Sequence, residues 1–459
     1  MSIQIVILAA GKGTRMYSQR PKVLHPLAGK ALIAHVIDTV SHLQQPIHRC
    51  CVVIGHEAAQ IRAAFVNHPE PLVWVDQTEQ LGTGHAVLQT LPFLSSEQLV
   101  LILYGDVPLI QPETLNHLIH QAEKNHFALL TAQLSDPTGY GRIIRNKNGQ
   151  VTSIVEQRDA TPEQLMITEI NTGIMVVKGA YLNKWLPQLK NENQQQEYYL
   201  TDIIECAVND GLEIATHSPR NLWEIMGVNN KIQLLELERI FQKNQALDLL
   251  AQGVTLHDAN RIDIRGHLTC GQDVEIDINC IFEGHVTLGN HVKIGAGCLL
   301  KNVTIGEHTT IKPYSILEGA EIQTYCEIGP YSRVRPGTKL ENAVHLGNFV
   351  EVKNSTISKA SKANHLSYIG DAQIGKNVNI GAGTITCNYD GAKKHLTRIE
   401  DDVFVGSDTQ LVAPVTVKKG VTIAAGTTVT KETPENALIL SRVKQSHIAN
   451  WKRPQKNNK

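Results

Sequence analysis

From Ile262 to Val429 apolar residues return at every sixth position. Ile264, Cys270, Ile276, Phe282, Leu288, Ile294 and Leu300 make one row. Ile262, Leu268, Val274, Cys280, Val286, Val292 and Cys298 make a companion row two residues behind. After an irregular middle the count resumes at Val403, Thr409, Val415, Val421, Thr427 and at Ile399, Val405, Leu411, Val417, Ile423, Val429. A helix repeats at 3.6 and a half-buried strand at 2. A sustained period of six is the mark of a parallel β-helix, in which each hexapeptide is one short face of a coil. At eighteen residues per coil the segment predicts about nine coils, a stack of roughly 45 Å at strand spacing. Glycine follows the apolar residue at Gly289, Gly295, Gly306, Gly329 and Gly381, where a missing Cβ relieves crowding at the bends.

A chain of 459 residues is too long for one core, so two or three domains are expected. The net charge of −1 argues against a nucleic-acid or anionic-membrane partner. The eight cysteines include no C-x-x-C pair. Cys270, Cys280 and Cys298 fall on inward sixth positions, where they read as small core hydrophobes rather than disulfides or metal ligands. No signal-peptide pattern opens the chain and no apolar run is long enough to span a bilayer, so a cytoplasmic protein is expected.

Residues 1–230 alternate apolar strand runs with helical stretches. Ile3–Leu8, Cys51–Ile54, Leu72–Val75, Leu99–Tyr104 and Ala128–Gln133 read as strands, and 31–43, 57–66, 83–91 and 112–125 as helices. That order predicts an α/β, Rossmann-like domain with a largely parallel sheet. Residues 231–251 hold no Gly or Pro and carry Leu234, Leu237 and Phe241 along one face, so a long linker helix of roughly 30 Å is expected. The β-helix domain then occupies 252–459 and ends in a basic, polar tail.

The first strand runs into Ala9-Ala10-Gly11-Lys12-Gly13-Thr14-Arg15-Met16, with Pro21-Lys22 beyond. Glycines at 11 and 13 let backbone N–H groups approach phosphate oxygens, and Arg15 and Lys22 add two cations. Neither standard nucleotide loop is matched: Met16 stands where a dinucleotide fingerprint needs glycine, and the Gly-Lys-Ser/Thr of a P-loop is missing. Leu99–Tyr104 ends in Gly105-Asp106, a carboxylate at the carboxyl tip of a strand, where open α/β sheets bind ligands. Capping of the helix that begins near Pro112 is an equal alternative for Asp106.

In the β-helix the step from Ile380 to Ile399 is nineteen positions instead of six. The excess of thirteen is expected to leave the coil as a loop containing Thr386-Cys387-Asn388-Tyr389-Asp390-Gly391. Arg335, Lys353, His365 and Tyr368 gather near another break in the count. Two cations suit a phosphate, and a histidine suits a general base. Taken alone, His365 is one of twenty histidines, and the two cations would be an ordinary solvated face.

Leu8-Ala9-Ala10-Gly11-Lys12-Gly13-Thr14-Arg15-Met16, Pro21-Lys22, Gln80-Leu81-Gly82-Thr83-Gly84 and Tyr104-Gly105-Asp106 resemble a sugar-phosphate nucleotidyltransferase. Joined to the hexapeptide half and to Gly383-Thr384-Ile385-Thr386-Cys387-Asn388-Tyr389-Asp390-Gly391, they resemble the bacterial bifunctional N-acetylglucosamine-1-phosphate uridylyltransferase/glucosamine-1-phosphate acetyltransferases. The resemblance implies that the β-helix is left-handed and the protein a homotrimer. It implies that Leu8, Ala9, Ala10, Gly11, Arg15 and Lys22 hold UTP, with Tyr104 and Gly105 in the same nucleotide-sugar set. Gln77, Gly82 and Thr83 would read the uracil. Asp106 and Asn229 would ligate Mg²⁺, and Gly141, Glu156, Asn171 and Asn229 would bracket the sugar. His365 would be the base of acetyl transfer, with Arg335, Lys353, Tyr368 and Asn379 holding glucosamine-1-phosphate. Ala382, Asn388, Tyr389, Ser407, Ala425 and Arg442 would bind acetyl-CoA. The implied activity is acetylation of glucosamine-1-phosphate followed by uridylyl transfer, for peptidoglycan and lipopolysaccharide precursors. The competing expectation is a single-site nucleotidyltransferase whose β-helix only assembles or regulates.

Overall fold

The structure is a computed structural model that describes residues 2–69 and 71–454. It divides into two compact units, Met1–Phe241 and Gln242–Lys459. Residues 455–459 of the expected tail lie outside the described residues, and 440–454 are exposed and form neither helix nor strand.

The first unit is built on a nine-stranded sheet. Its strands are β1 Ile3–Leu8, β2 Ile47–Ile54, β3 Leu72–Asp76, β4 Leu99–Tyr104, β5 Phe127–Gln133, β6 Arg142–Arg145, β7 Val151–Val155, β8 Glu169–Lys178 and β9 Ala215–His217. The main path runs β9-β5-β8-β4-β1-β2-β3, with the β6–β7 hairpin off β8. β1 is buried along its whole length, as a central strand covered on both faces must be. Ile3, Ile5 and Ile7 face one hydrophobic cluster; Val6 and Leu8 face the other. Its one polar residue, Gln4, is satisfied by both Ser95 backbone groups, at 3.1 and 2.8 Å. The sheet is parallel around β1, but β8 enters antiparallel to both β4 and β5. In β1 and β4, Leu8 pairs with Tyr104, so the loops that follow both strands emerge side by side at one sheet edge.

The helix at Lys231–Ala251 spans the division between the units. Leu234, Leu237 and Phe241 pack with Met16, Leu27 and Leu32 in the first unit. Ala246 and Leu249 join the core of the second, and Gln242 exchanges two hydrogen bonds with the Ile264 backbone there.

The second unit is the β-helix. One face stacks eleven strands, from Thr255–Leu256 to Leu438–Ile439. Those ten steps make about 48 Å, one step more than the spacing predicts. Both apolar rows point inward. Ile276, Ile294, Ile311, Ile328, Leu346, Ala363 and Ile380 recur on that face, one to each coil. The middle of the stack, which looks irregular in the sequence, is regular in space. Some corners are one residue shorter, and many inward positions are Ser or Thr: Thr309, Ser315, Ser332, Ser355, Ser361, Ser367, Thr384 and Thr386 are all buried. Their hydroxyls bond nearby carbonyls, as Ser361 does to Gly375 (2.6 Å) and Thr409 to Gly406 (2.7 Å).

This corrects the expected insertion. Thr384 and Thr386 are an inward pair, and Ile385–Cys387 is a normal rung between Tyr368–Gly370 and Gln410–Val412. Ile380 and Val405 are register partners one coil apart, so the excursion exceeds a normal coil by seven or eight positions, not thirteen. It lies in 388–396, closed by a bridge between Tyr389 and Lys394. The glycine reading needs less change. A Cβ on Gly381 would stand 2.6 Å from the Gly406 carbonyl carbon and the Ser407 nitrogen of the next coil, so that glycine serves close stacking.

Thr338, Thr397 and Thr427 are buried with hydroxyls that find no partner among the described residues. Thr338→Val should therefore stabilise the β-helix by about 1 kcal/mol, whereas Thr409→Val, which removes a made bond, should destabilise it by about 1 kcal/mol. Midpoints of the β-helix unfolding transition would show the opposite signs.

Candidate functional sites

In the first unit the two neighbouring strand ends open onto a cleft of about 310 Å³. Leu8, Ala9, Ala10, Gly11, Lys22, Gln77, Gly82, Thr83, Tyr104 and Asp106 line it, together with Gln80 and Glu197. A Cβ on Gly11 would meet nothing within 4 Å, as expected of a backbone that faces a ligand. Gly13 does a different job from the one expected. Its φ is +59°, and a Cβ there would lie 2.7 Å from the Lys22 Cβ, so it lets the loop fold against the turn that carries Lys22. The Lys22 ammonium is ion-paired with Asp106 and donates to Asn229 Oδ1 at 3.2 Å. Arg15 donates to the same Asn229 oxygen at 3.2 Å. Arg15 and Asn229, which do not line the cleft, are thereby joined to its cationic end.

The sugar candidates form a second group. Asn171 N–H donates to the Gly141 carbonyl at 2.8 Å, and a Cβ on Gly141 would stand 3.3 Å from Glu156 Oε1. A side chain on Gly173, two residues past Asn171, would strike the Tyr104 ring. Burial, with the Glu156 and Asp106 charges, pushes the Tyr104 hydroxyl up, so it stays protonated. Burial also raises Glu156, whose carboxylate accepts from the Thr201 hydroxyl at 3.3 Å. Beside it Asp202 is pushed up to about 6 by burial and by Glu205, Glu156 and Asp159.

Glu197 escapes a reading of motifs because it arrives from a distant, irregular segment. Tyr198 N–H donates to the Leu81 carbonyl and the Tyr198 carbonyl accepts from Gly84 N–H, both at 2.8 Å, while Leu200 N–H donates to Thr83 Oγ1 at 3.1 Å. The 197–200 segment is laced along the Leu81–Gly84 turn.

In the second unit the candidates fall into separate groups, not the one cluster expected. Arg335 pairs with Glu351 at 2.8 Å, and Lys353 lies 3.6 Å from Asp371. The Tyr368 hydroxyl belongs to this group through its electrostatic contact with both cations. Lys394, from the loop, lies within electrostatic reach of Lys353, and its charge acts on Asp371 and Arg335. Lys394 is a third cation that spacing could not place. Asn388 is buried, with its amide donating to Asp371 at 2.5 Å, while Tyr389 is exposed on the loop.

His365 lies at another corner, and no bond among the described residues joins it to these cations. Its Nδ1–H donates to Asn348 Oδ1 at 3.0 Å, which leaves the Nε2 lone pair to accept a proton. Asn348 was not among the sequence candidates; it is the register partner of His365 one coil below. The coils above continue the column. Ala382, Ser407 and Ala425 follow His365 at the same corner, tied by Gly383 N–H to Leu366 O, Asp408 N–H to Ala382 O and Gly426 N–H to Ser407 O at 3.0, 2.7 and 2.8 Å. Asn379 opens a strand on the first face, next to Lys362 and Phe404, and Arg442 sits in the exposed terminal segment.

Residues 5–173 match the MobA-like NTP transferase domain family. Residues 267–302 match the bacterial transferase hexapeptide family, and 396–431 the hexapeptide repeat of succinyl-transferase. Curated relatives match end to end. The chain is 57% identical over 458 residues to a Nitrosomonas eutropha protein named bifunctional protein GlmU, covering 100% of this chain and 99% of that one. Proteins of the same name from Nitrosospira multiformis (58% identical) and Cupriavidus taiwanensis (55% identical) match over 100% of this chain and 99% and 100% of theirs.

Gly82 has φ +108°, and a Cβ there would stand 2.6 Å from the Tyr198 carbonyl oxygen. Both facts forbid a side chain. Gly82→Ala should cost about 1–3 kcal/mol of local strain and displace the Gln77–Thr83 wall of the cleft. Isothermal titration should show UTP binding weakened about tenfold or more.

Proposed function

We propose a division of labour for a chain that belongs to the GlmU family of bifunctional proteins: uridylyl transfer on residues 1–230, acetyl transfer on 252–459, and the 231–251 helix as connector. The enzyme N-acetylates glucosamine-1-phosphate from acetyl-CoA. It then transfers a uridylyl group from UTP to give UDP-N-acetylglucosamine and pyrophosphate, a precursor of cell-wall synthesis. The observation that carries the reading is the presence of two built sites of different chemistry. One is a glycine-walled cleft with a Lys–Asp–Asn end; the other is a histidine with its tautomer fixed.

In uridylyl transfer the sugar-phosphate oxygen attacks the α-phosphorus of UTP and pyrophosphate leaves. The nucleophile is already an anion, so no side chain need remove a proton; the site supplies alignment and charge neutralisation. Gly11 and its neighbours offer backbone to the phosphates. Gln77 donates to the Gly82 carbonyl at 3.0 Å and so fixes the wall read as the uracil site. Asp106 and Asn229 fit Mg²⁺. Their carboxylate and amide oxygens are hard donors that already converge on one cation, the Lys22 ammonium. Among the described residues no group of three or more His, Cys, Asp or Glu could cage a metal, which suits an ion that keeps phosphate and water oxygens. Bound there, Mg²⁺ would neutralise charge on the phosphates, and Lys22 would turn to the same anions.

In acetyl transfer the amine of glucosamine-1-phosphate must lose a proton to attack the thioester carbonyl, after which the CoA thiolate departs. His365 Nε2 takes that proton while Asn348 holds the ring. The thioester is already activated, so Cys387 has no part as a nucleophile. Arg335, Lys353, Lys394 and Tyr368 bind the phosphate. The column Ala382–Ser407–Ala425 offers small side chains at about 4.8 Å per coil, a track for the extended arm of acetyl-CoA.

A homotrimer completes this second site. The phosphate group and His365 occupy different corners of one chain. At the corner position of Leu366, which follows His365, Tyr314, Tyr331, Phe349 and Leu366 make an exposed apolar ladder in the left-handed backbone conformation. The three rings stack at 5.3 and 5.5 Å. A row of large, mostly apolar side chains left exposed is poorly hydrated, which favours cover by another copy. Light scattering should return three times the 50.6 kDa chain mass; a monomer would contradict the reading.

Asp106→Asn should abolish uridylyl transfer and leave acetyl transfer intact. His365→Ala should do the reverse, lowering acetyl transfer about 10²-fold or more. Separate assays of pyrophosphate and CoA release on the intact chain decide both. Normal UDP-sugar formation by the first variant at saturating Mg²⁺, or a near-normal acetyl rate in the second, would remove that residue from the mechanism.

A further inference from the structure

Asp371 is a charged residue in the second unit to which neither reaction assigns a part, yet it touches both the rung that carries Lys353 and the loop beside it. It is buried, 9% exposed, at a coil corner with φ +47°. Asn354 Nδ2 donates to its Oδ1 at 2.6 Å, and Asn388 Nδ2 to its Oδ2 at 2.5 Å. Lys353 Nζ lies 3.6 Å from the same Oδ2. Its backbone carbonyl accepts from Thr397 N–H at 3.1 Å. Asn388 is where the chain leaves the coil for the 388–396 excursion, and Thr397 is where it returns. One residue therefore ties both ends of the loop to the rung that carries Lys353.

The electrostatics give this clamp a purpose. Lys394 on the loop and Lys353 on the coil act on each other's charge, an approach of two like charges that an anion between them eases. Asp371 is that anion. Burial alone would raise its carboxyl, but the Asn354 and Asn388 amides and the Lys353 and Lys394 charges hold it below the ordinary carboxylate range.

We propose that Asp371 is a positioning residue for acetyl transfer, holding Lys353 to receive the phosphate of the amino-sugar phosphate and anchoring the 388–396 loop that carries Lys394. It touches no reacting atom. Without the carboxylate, Lys353 and Lys394 repel each other, the loop loses its exit anchor, and the phosphate must gather the cations itself. The proposal rests on the reading that Lys353 binds that phosphate.

Steady-state kinetics on the intact enzyme test it, with glucosamine-1-phosphate and acetyl-CoA varied separately. Asp371→Asn should raise KM for glucosamine-1-phosphate about tenfold or more, with kcat within about threefold and uridylyl transfer unchanged. Asp371→Glu should recover part of the loss. Asn354→Gly keeps the left-handed corner while removing one amide from the carboxylate, and should raise the same KM by a smaller factor. If Asp371→Asn does not fold, the Asn354→Gly result decides. Lys353→Ala separates the two layers: if it leaves this KM unchanged, the phosphate reading has failed and Asp371 has no cation to position. If Lys353→Ala raises KM while Asp371→Asn and Asn354→Gly do not, or if they lower kcat alone, the proposal is overturned and the phosphate reading stands.

Discussion

Each coil of the solenoid must lay its inward side chains directly over those of the coil below, and that register governs the second unit. Strand pairs such as Val352 with Ile369 and Thr386 with Leu411 keep it up the stack. Register fixes the corners as well. It brings Asn348 under His365 and sets Ala382, Ser407 and Ala425 above them. A residue that would otherwise be one histidine on a polar surface becomes part of a column in which each neighbour is a fixed rung away. The loop at 388–396 is tolerated because the rungs on either side stay paired, Cys387 with Val412 and Thr397 with Val415. Chemistry is added at corners and by excursion, while the core carries the load.

The first unit meets the same need by another route. β1 and β4 end in register at Leu8 and Tyr104, so the glycine turn and Asp106 lie side by side at the sheet edge. Lys22 pairs with Asp106, and Arg335 and Lys353 pair with Glu351 and Asp371. In both units the cations proposed to take phosphate lean on carboxylates. Such pairs keep the charges oriented, and a phosphate or metal then exchanges one partner for another without ordering the site from nothing.

Much of this was legible from residue order because strand burial and coil period are local patterns. Ile3–Leu8 and Leu99–Tyr104 are strands as expected, and the helix at 231–251 lies where an unbroken run without Gly or Pro put it. The period failed to show through where the inward residue is a hydroxyl. Thr384 and Thr386 look polar in sequence, yet their side chains bond carbonyls of the adjoining turn and rung, so a rung was mistaken for loop. What lay beyond reach were residues defined by contacts across coils or from distant segments. Glu197 joins the cleft through backbone bonds to the Leu81–Gly84 turn; Asn348, Asp371 and Lys394 acquire meaning only from what stands above or beside them. The single cluster expected of Arg335, Lys353, His365 and Tyr368 separates into two corners, because the stretch from Lys353 to His365 carries the chain two-thirds of the way round a coil.

The central claim is that the solenoid carries a reactive site of its own, completed by other copies of the solenoid, independent of the nucleotide cleft and served by a diffusing intermediate. The most direct test mixes two purified enzymes, one lacking Asp106 function and one lacking His365 function, with glucosamine-1-phosphate, acetyl-CoA, UTP and Mg²⁺. The Asp106 variant alone should form no UDP-N-acetylglucosamine and the His365 variant alone only a slow residue of it, whereas the mixture should form it rapidly after a lag in which the acetylated sugar phosphate accumulates. A mixture no faster than its parts would contradict the account.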